Sequence, residues 1–544
     1  MIDLIAVIVF FLVIAICSAF YFTRSMHIFQ LNSYKLAGQF KWFRQNIKWI
    51  ALNTLVPLTA VIFFIMFFRV VQSDNSGTET TFAFTLFVTA FIEIIGAFIF
   101  GRSRTKAKKP LVFTHRVIRM YVTGTIVFLA AGFAYIYACL LFPNWETALI
   151  AVPFFPLISL LLPIIANIIN APVEKLNNSR YINQTKNIIN SHPNLMTIGI
   201  TGSYGKTSTK YYLHKLLSVK FNTLMTPESY NTTLGVVKTV RNDLRATHEV
   251  FVCEMGAKYV GDIKEICDIV KPQHSMITSI GPQHLETFKS IENIIRTKFE
   301  IADSINDGIV FLNYDNDYIK KHKTGKNIIS YGVDEAEADF RASGIKVSEK
   351  GTDFTVTSPG GETARFSTPL IGAHNVQNIL GAIAVANTLG IEMKALIPAV
   401  KRLEPVPHRL QILNKGGAVI IDDAFNSNPV GAKAALDVLK MFNGIRFLIT
   451  PGMVELGEKE YELNKEFGAY AAVCCDFAVL IGERQAVPIR AGLLESGFPE
   501  SKIKIFKTVN EGLDFTHNYD SGIPPGTASI QKIILLENDL PDNY

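Results

Sequence analysis

Five apolar windows, residues 4–22, 50–68, 82–100, 121–141 and 148–169, fill the first third of the sequence. Each is about as long as the roughly 20 residues a helix needs to cross a hydrocarbon core. Lipid leaves backbone polar groups no solvent partner, so such segments are expected as transmembrane helices. They also explain a hydrophobic content of 49% in 544 residues, which is high for an ordinary soluble chain. Pro153, Pro156 and Pro163 interrupt the fifth window, and the backbone they free is expected to open toward a cavity. A cleavable signal peptide is the alternative for the first window, but Met1, Ile2 and Asp3 form no basic start and no small-residue cleavage site follows. Glu93 lies near the middle of the third window. It reads either as a functional group facing a polar cavity or as a protonated residue bonded to a neighbouring helix, with Thr85 and Thr89 nearby.

The basic residues orient these helices. Arg24, Lys35, Lys41, Arg44 and Lys48 follow the first window, and Arg102, Arg104, Lys106, Lys108, Lys109, Arg116 and Arg119 follow the third, whereas the second connection carries Asp74 and Glu79. Positive loops stay in the cytoplasm. The N-terminus is therefore expected outside the inner (cytoplasmic) membrane, and everything after the fifth helix inside the cell. The net charge of +6 is accounted for by these loops and calls for no nucleic-acid partner. Six scattered cysteines show neither disulfide nor zinc spacing, as expected in a reducing cytoplasm.

From about residue 171 the composition becomes that of a globular protein, joined through the polar "KLNNSRYINQTKN". "LMTIGITGSYGKTSTKYYLHKLL" then reads as strand, glycine turn and helix, the setting of a phosphate-binding loop. Gly202 and Gly205 let the backbone approach phosphate, and the helix N-terminus adds a favourable dipole. Lys206 is placed to reach the terminal phosphates and the Thr207 hydroxyl to bind magnesium. The spacing falls short of the full G-x-x-x-x-G-K-[ST], because Ile200 stands five before Gly205, so a chance glycine turn stays open on this motif alone. Downstream, one apolar strand ends in Glu254 ("VFVCEMGAKYVGD") and another precedes His284 ("HSMITSIGPQHLETF"). Ends of neighbouring parallel strands face one crevice, where open α/β sheets bind ligands. Taken singly, a glutamate at a strand end is ordinarily solvated and a lone histidine structural.

"GSYGKTS", "NTTLG", "EMGA", "GPQHLETF", "GAHNVQN", "PVPHRL" and "DDAFNSNP" follow one another in an order that resembles the Mur ligases, which use ATP to join peptide pieces of the bacterial cell-wall precursor. "DDAFNSNP" with "MVELGE" is most similar to the MurF type, which adds D-alanyl-D-alanine. The resemblance covers about residues 195–470 strongly and the rest of the C-terminus weakly. It implies that Lys206, Thr207 and Ser208 hold ATP phosphates and Mg2+, with Thr207, Glu254, His284 and Lys298 around the metal. It implies Asn375 and Asn378 at the adenine, Arg409 at the terminal phosphate and Asp423 at the ribose. Lys298 stands where the family carries a lysine modified by carbon dioxide. Without the resemblance, a surface lysine paired with Glu292 or Glu300 is the ordinary reading. The implied chemistry turns a carboxylate into an acyl phosphate that an amine attacks, so positioning and charge neutralisation do most of the work.

Two departures bear on the substrate. Membrane helices stand where soluble MurF enzymes carry a small domain for the uridine nucleotide, and the usual basic, serine-containing segment near the end is replaced by "PPGTASIQKIILLENDLPDNY". Alternatives are a membrane-attached ligase of the poly-γ-glutamate kind and, because "AVIIDD" imitates a Walker B strand, a membrane-transport ATPase. The expected architecture is an α-helical transmembrane domain over 1–170, an α/β central ATPase domain over 171–404 and a Rossmann-like α/β domain over 405–544. The alternating residues 342–372 are expected as a small antiparallel lobe. ATP is expected between the last two domains, reached by Arg409 and Asp423 only after closure. The expected partners are a cell-wall peptide precursor, which is either soluble or lipid-linked, an amino-acid or dipeptide acceptor, and membrane lipid.

Overall fold

The computed structural model describes residues 2–71, 87–92, 94–98, 110–141, 154–333, 335–415, 417–425, 427–454, 456–519 and 531–539. The chain forms two compact units, residues 1–179 and 180–540, with 541–544 counted with the first.

The first unit is helical. Among the described residues, Leu12–Leu31, His115–Tyr135 and Phe154–Asn190 are long and apolar enough to cross a membrane, and the bent pair Leu36–Gln45 and Ile47–Phe63 makes a fourth if counted as one span. These helices coincide with the first, fourth, fifth and second apolar windows. Within the third, Phe87–Phe98 is a shorter apolar helix, while Glu93 and Thr85 lie outside the described residues. The helix Phe154–Asn190 runs unbroken through Pro163 and Pro172 and past the junction expected near 170. Proline at 163 leaves the carbonyl four residues earlier without an N–H donor. One residue on, the Leu160 carbonyl accepts the Ser25 hydroxyl at 2.6 Å, and Gln39 Nε2 donates to Ser25 Oγ at 3.0 Å. Buried polar side chains of neighbouring helices thus bond to this helix and to each other within the apolar unit.

The second unit holds two sheets. The strands of the first are β1 (Met196–Thr201), β2 (Thr223–Met225), β3 (Val250–Glu254), β4 (His274–Ile277), β5 (Ile309–Asn313), β6 (Asn327–Val333), β7 (Phe340–Ser348), β8 (Gly351–Thr357) and β9 (Thr363–Thr368). Their order is β2-β3-β1-β4-β5-β6-β7-β8-β9. All pairs through β6–β7 are parallel, and β7–β8–β9 are antiparallel. The antiparallel strands thus continue the main sheet rather than forming a lobe apart, because β7 pairs with β6 before the chain turns back. Alternation sends Val250 and Val252 into one core and Phe251 and Cys253 into the other, so helices cover both faces. The order reverses at β1, which has β3 on one side and β4 on the other. A crevice opens at such a switch point, beyond the carboxyl ends of the strands.

The second sheet contains β10 (Gln411–Lys415), β11 (Ala418–Asp423), β12 (Ile445–Thr450), β13 (Phe477–Ile481), β14 (Ile503–Phe506) and β15 (Lys532–Glu537), in the order β10-β11-β15-β12-β13-β14. β10 is antiparallel and the rest are parallel. The apolar run "KIILLE" is inserted between β11 and β12, with Ile533 and Leu535 fully buried. An unusual C-terminal sequence is therefore the middle of this sheet.

Candidate active site

The loop after β1 is shaped by two glycines. Gly202 has φ +153° and Gly205 φ +78°, and a Cβ on Gly202 would strike Thr278 Oγ1 while one on Gly205 would lie 2.5 Å from Asn378 Oδ1. The loop is pinned by Ser203 N–H donating to the Ser279 carbonyl at 2.6 Å and Tyr204 N–H to Ser279 Oγ at 3.0 Å. The helix Lys206–Leu217 starts directly behind it, so its unpaired N–H groups and positive dipole end face the loop. Gly205→Ala is expected to weaken binding of a fluorescent ADP analogue at least tenfold, because the methyl group needs both a strained backbone and displacement of Asn378. Titration of the variant against wild type checks this, and equal affinity would contradict it.

Lys206 curls over the loop, donating to the carbonyls of Gly202 at 2.6 Å and Ser203 at 3.1 Å. Burial pulls its amine down to about 8, with Glu254 opposing that shift and Arg409 adding to it. Thr207 Oγ1 donates to Glu254 Oε1 at 3.1 Å. Glu254 is 1% exposed at the end of β3, and its remaining carboxylate bonds come from Asn231 Nδ2 at 2.9 Å and Lys210 Nζ at 3.1 Å. Burial alone raises a carboxyl pKa, but Lys210, Lys206 and the Asn231 bond outweigh it and hold Glu254 below the usual carboxylate range. Two adjacent ligands of an octahedral Mg2+, each about 2.1 Å from the ion, stand about 3 Å apart. The 3.1 Å between Thr207 Oγ1 and Glu254 Oε1 suits that geometry, and both are hard oxygens, so these two residues fit the metal.

The other expected ligands are placed differently. His284 has φ +53° and precedes the short helix Leu285–Phe288. Among the described residues no cluster of three or more His, Cys, Asp or Glu has metal-binding spacing. Lys298 lies on the helix Ile291–Asp303 and is 4% exposed. This rules out the surface-pair alternative, all the more because Glu300 accepts the backbone N–H groups of Gly261 at 2.7 Å and Lys264 at 3.0 Å. Burial holds the Lys298 amine well below the usual lysine range. The nearby Lys206 charge lowers it further, while Glu300, Asp262 and Glu254 oppose.

A cleft of about 140 Å³ lies between the two sheet domains, bordered by Gly205, Ser208, Asn375, Asn378, Arg409 and Asp423. Asn378 Oδ1 accepts from Thr209 Oγ1 at 3.2 Å, and Asn375 Oδ1 from the Tyr212 hydroxyl at 2.9 Å. Arg409 already reaches Thr207 Oγ1 at 3.4 Å and lies over the Phe425 ring. Arg409 and Asp423, expected to reach the nucleotide only after closure, both border the cleft in this conformation. Burial raises Asp423 to about 6 against the pull of Arg409, and its carboxylate accepts the Leu410 N–H at 3.1 Å. "AVIIDD", the Walker B imitation, is β11 of the second sheet. The carboxylate that meets the Thr207 hydroxyl is instead Glu254, on the strand next to β1.

Three features had no role assigned from the sequence. Lys210 lies one helical turn beyond Lys206, a spacing that puts both on one face and was readable as such. Asn231 stood inside the quoted "NTTLG". Glu537, fully buried at the end of β15, accepts the hydroxyls of Ser427 and of Thr450, the latter at 3.0 Å, and burial raises it to about 8. No local signal in the sequence joins residue 537 to residue 427.

A glycine loop at a sheet's switch point, a hydroxyl–carboxylate pair fit for Mg2+ and an arginine from a second α/β domain define a nucleotide-phosphate-binding α/β protein. Residues 200–386 match the Mur ligase middle domain and residues 408–521 the Mur ligase glutamate ligase domain. The UDP-N-acetylmuramoyl-tripeptide–D-alanyl-D-alanine ligase of Escherichia coli is 30% identical over 305 residues, which is 55% of this chain and 67% of the relative. That of Buchnera aphidicola subsp. Baizongia pistaciae is 33% identical over 286 residues, 52% of this chain and 61% of the relative. The chain thus spans somewhat under two thirds of the Buchnera relative's length. Crystal structure I of MurF from Acinetobacter baumannii superposes with a TM-score of 0.59 at 28% identity, covering 66% of this chain and 77% of that one. The chain belongs to the Mur ligase family, and these relatives are of the MurF type. Residues 1–199 lie outside both domain matches.

Proposed function

We propose that this chain is an ATP- and magnesium-dependent peptide ligase of the MurF type. Its carboxylate substrate is a UDP-N-acetylmuramoyl-tripeptide or a lipid-linked counterpart, and its acceptor is D-alanyl-D-alanine or a similar dipeptide. The observation that carries the reading is the meeting of Thr207, Glu254, Lys206 and Arg409 at the mouth of the glycine loop. When bound, ATP and Mg2+ supply the phosphoryl group that activates the carboxylate and the charge that offsets its transfer. The chain's own residues bind and orient. Thr207 and Glu254 hold the metal position, Lys206 and Arg409 neutralise phosphate oxygens, and Asn375, Asn378 and Asp423 border the nucleoside end of the cleft.

The long apolar helices support placing the enzyme in the inner membrane with its ligase domains in the cytoplasm, where basic loops attract phosphorylated head groups. One spanning helix already anchors a protein effectively irreversibly, so several favour a role in delivering a lipid-linked substrate. The test offers the full-length protein in detergent the soluble uridine-nucleotide tripeptide and its lipid-linked counterpart separately, each with ATP, Mg2+ and D-alanyl-D-alanine. Amide product from the lipid-linked substrate at a higher kcat/KM is expected. Preference for the soluble precursor, kept after residues 1–170 are deleted, removes the lipid-linked part of the proposal. No product from either, with free glutamate polymerised instead, removes the MurF-type assignment.

A further inference from the structure

Lys210 has no part in the reading above, yet it is fully buried beside the metal-site carboxylate. Its ammonium makes two bonds, to Glu254 Oε2 at 3.1 Å and to the carbonyl of Glu228. Glu228 has φ +42°, a left-handed residue in the turn 226–231. Two further bonds tie this turn to the same glutamate: Asn231 Nδ2 donates to Oε1 at 2.9 Å, and the Glu254 N–H donates to Thr226 Oγ1 at 3.1 Å. The turn is held from behind, because the Gly256 N–H donates to the Asn231 carbonyl at 2.7 Å and a Cβ on Gly256 would lie 2.7 Å from Asn231 Cγ.

A carboxylate this buried needs a counter-charge, since desolvation is otherwise uncompensated. Of the other basic groups nearby, Lys206 bonds the loop carbonyls, Arg409 reaches Thr207, and Lys298 is held toward its neutral form by burial, so none of the three bonds the Glu254 carboxylate directly among the described residues. We infer that Lys210 is the resident counter-cation of Glu254. It fixes Oε2 and the turn 226–231, so that Oε1 and the Thr207 hydroxyl stay aimed at the divalent-cation position whether or not a cation is there. Lys210 is thus a positioning residue: it binds neither the metal nor the nucleotide. The second half of the inference rests on the magnesium reading proposed above, whereas the metal-free half does not.

The test is thermal unfolding of the full-length protein in detergent, in EDTA and in Mg2+ with ADP. Lys210→Met keeps the aliphatic bulk and leaves Glu254 as an uncompensated buried charge. Its unfolding temperature in EDTA is expected about 5–10 °C below wild type, and Mg2+ with ADP is expected to close at least half of that gap by restoring positive charge at Oε1. The pair Lys210→Met with Glu254→Gln, which buries no charge, is expected to regain most of the loss in EDTA. If Lys210→Met alone does not fold, the double variant is compared with Glu254→Gln, which strands Lys210, and is expected to be the more stable of the two. Wild-type stability of Lys210→Met in EDTA, or a double variant no more stable than either single change, overturns the inference. If wild type responds to Mg2+ with ADP but the Lys210→Met gap stays full size, the lysine is only part of the core packing, and the positioning role is overturned. If wild type itself ignores Mg2+ with ADP, the magnesium reading fails, and the EDTA arm still decides the Lys210–Glu254 pairing.

Discussion

Lys206→Ala is expected to lower ATP-dependent phosphate release by about a hundredfold or more, the cost of losing one preorganised charge contact to a transferring phosphoryl group. The lysine is held over the glycine loop by the Gly202 and Ser203 carbonyls, so it is in place before the nucleotide arrives. Its amine is pulled down to about 8 by burial, which adds a second, independent readout. Only the protonated amine neutralises phosphate, so ADP affinity is expected to fall as pH rises through about 8, where the free protein loses that proton. Bound phosphate favours the charged form, so binding above this pH should take up a proton. Lys206→Ala should lack this step in its pH profile. Phosphate release is measured with the full-length protein in detergent, supplied with both carboxylate and amine substrates. Unchanged release in the variant would remove the phosphate-loop assignment.

The loop itself was legible because its constraints are local. Gly202, Gly205, Lys206 and Thr207 are neighbours in sequence, and the strand and helix around them read from short apolar runs. Glu254 was legible only through the order of motifs around it, since a glutamate at a strand end is ordinarily solvated and the pairing of its strand with β1 is a long-range contact. The antiparallel strands β7–β9 were seen as strands, but not as a continuation of the main sheet. Alternation in 342–372 reports which residues share a face and carries no information on the edge to which β7 pairs. The same limit hid β15: "KIILLE" is plainly a strand, yet its insertion between β11 and β12 is a long-range pairing that places Glu537 against Ser427. Lys298 shows the limit most sharply. Its sequence neighbours Glu292 and Glu300 suggest a solvated helix face, whereas the tertiary fold buries it and commits Glu300 to capping the helix that starts at Asp262. Burial is a property of what packs against a residue, and a single sequence does not list those partners.

Lys298→Ala is expected to lose most ligase activity, at least about a hundredfold if it removes one of the oxygen ligands that position the metal, and a small carboxylate such as formate or acetate is expected to restore part of it. The reasoning starts from burial. A lysine with 4% exposure, to which no carboxylate is bonded among the described residues, keeps its amine well below the usual lysine range, and burial thereby favours the neutral, nucleophilic form. That neutral amine would add to carbon dioxide with loss of one proton, exchanging an uncharged buried group for a carbamate anion. The exchange suits the site, because Lys206 adds positive charge nearby and magnesium favours a hard oxygen ligand. The carbamate would place a negative charge beside the Lys206 ammonium, where the protonated lysine would meet repulsion. Wild-type activity should therefore fall when bicarbonate and dissolved carbon dioxide are stripped from the buffer and return when they are restored, while Lys298→Ala should ignore bicarbonate at low concentration and respond to formate. Thermal unfolding of the variant separates this from simple loss of packing, since a merely destabilised protein regains activity on cooling and gains nothing from formate. Full activity in Lys298→Ala, or activity in wild type that is indifferent to carbon dioxide, would leave the buried amine without this role.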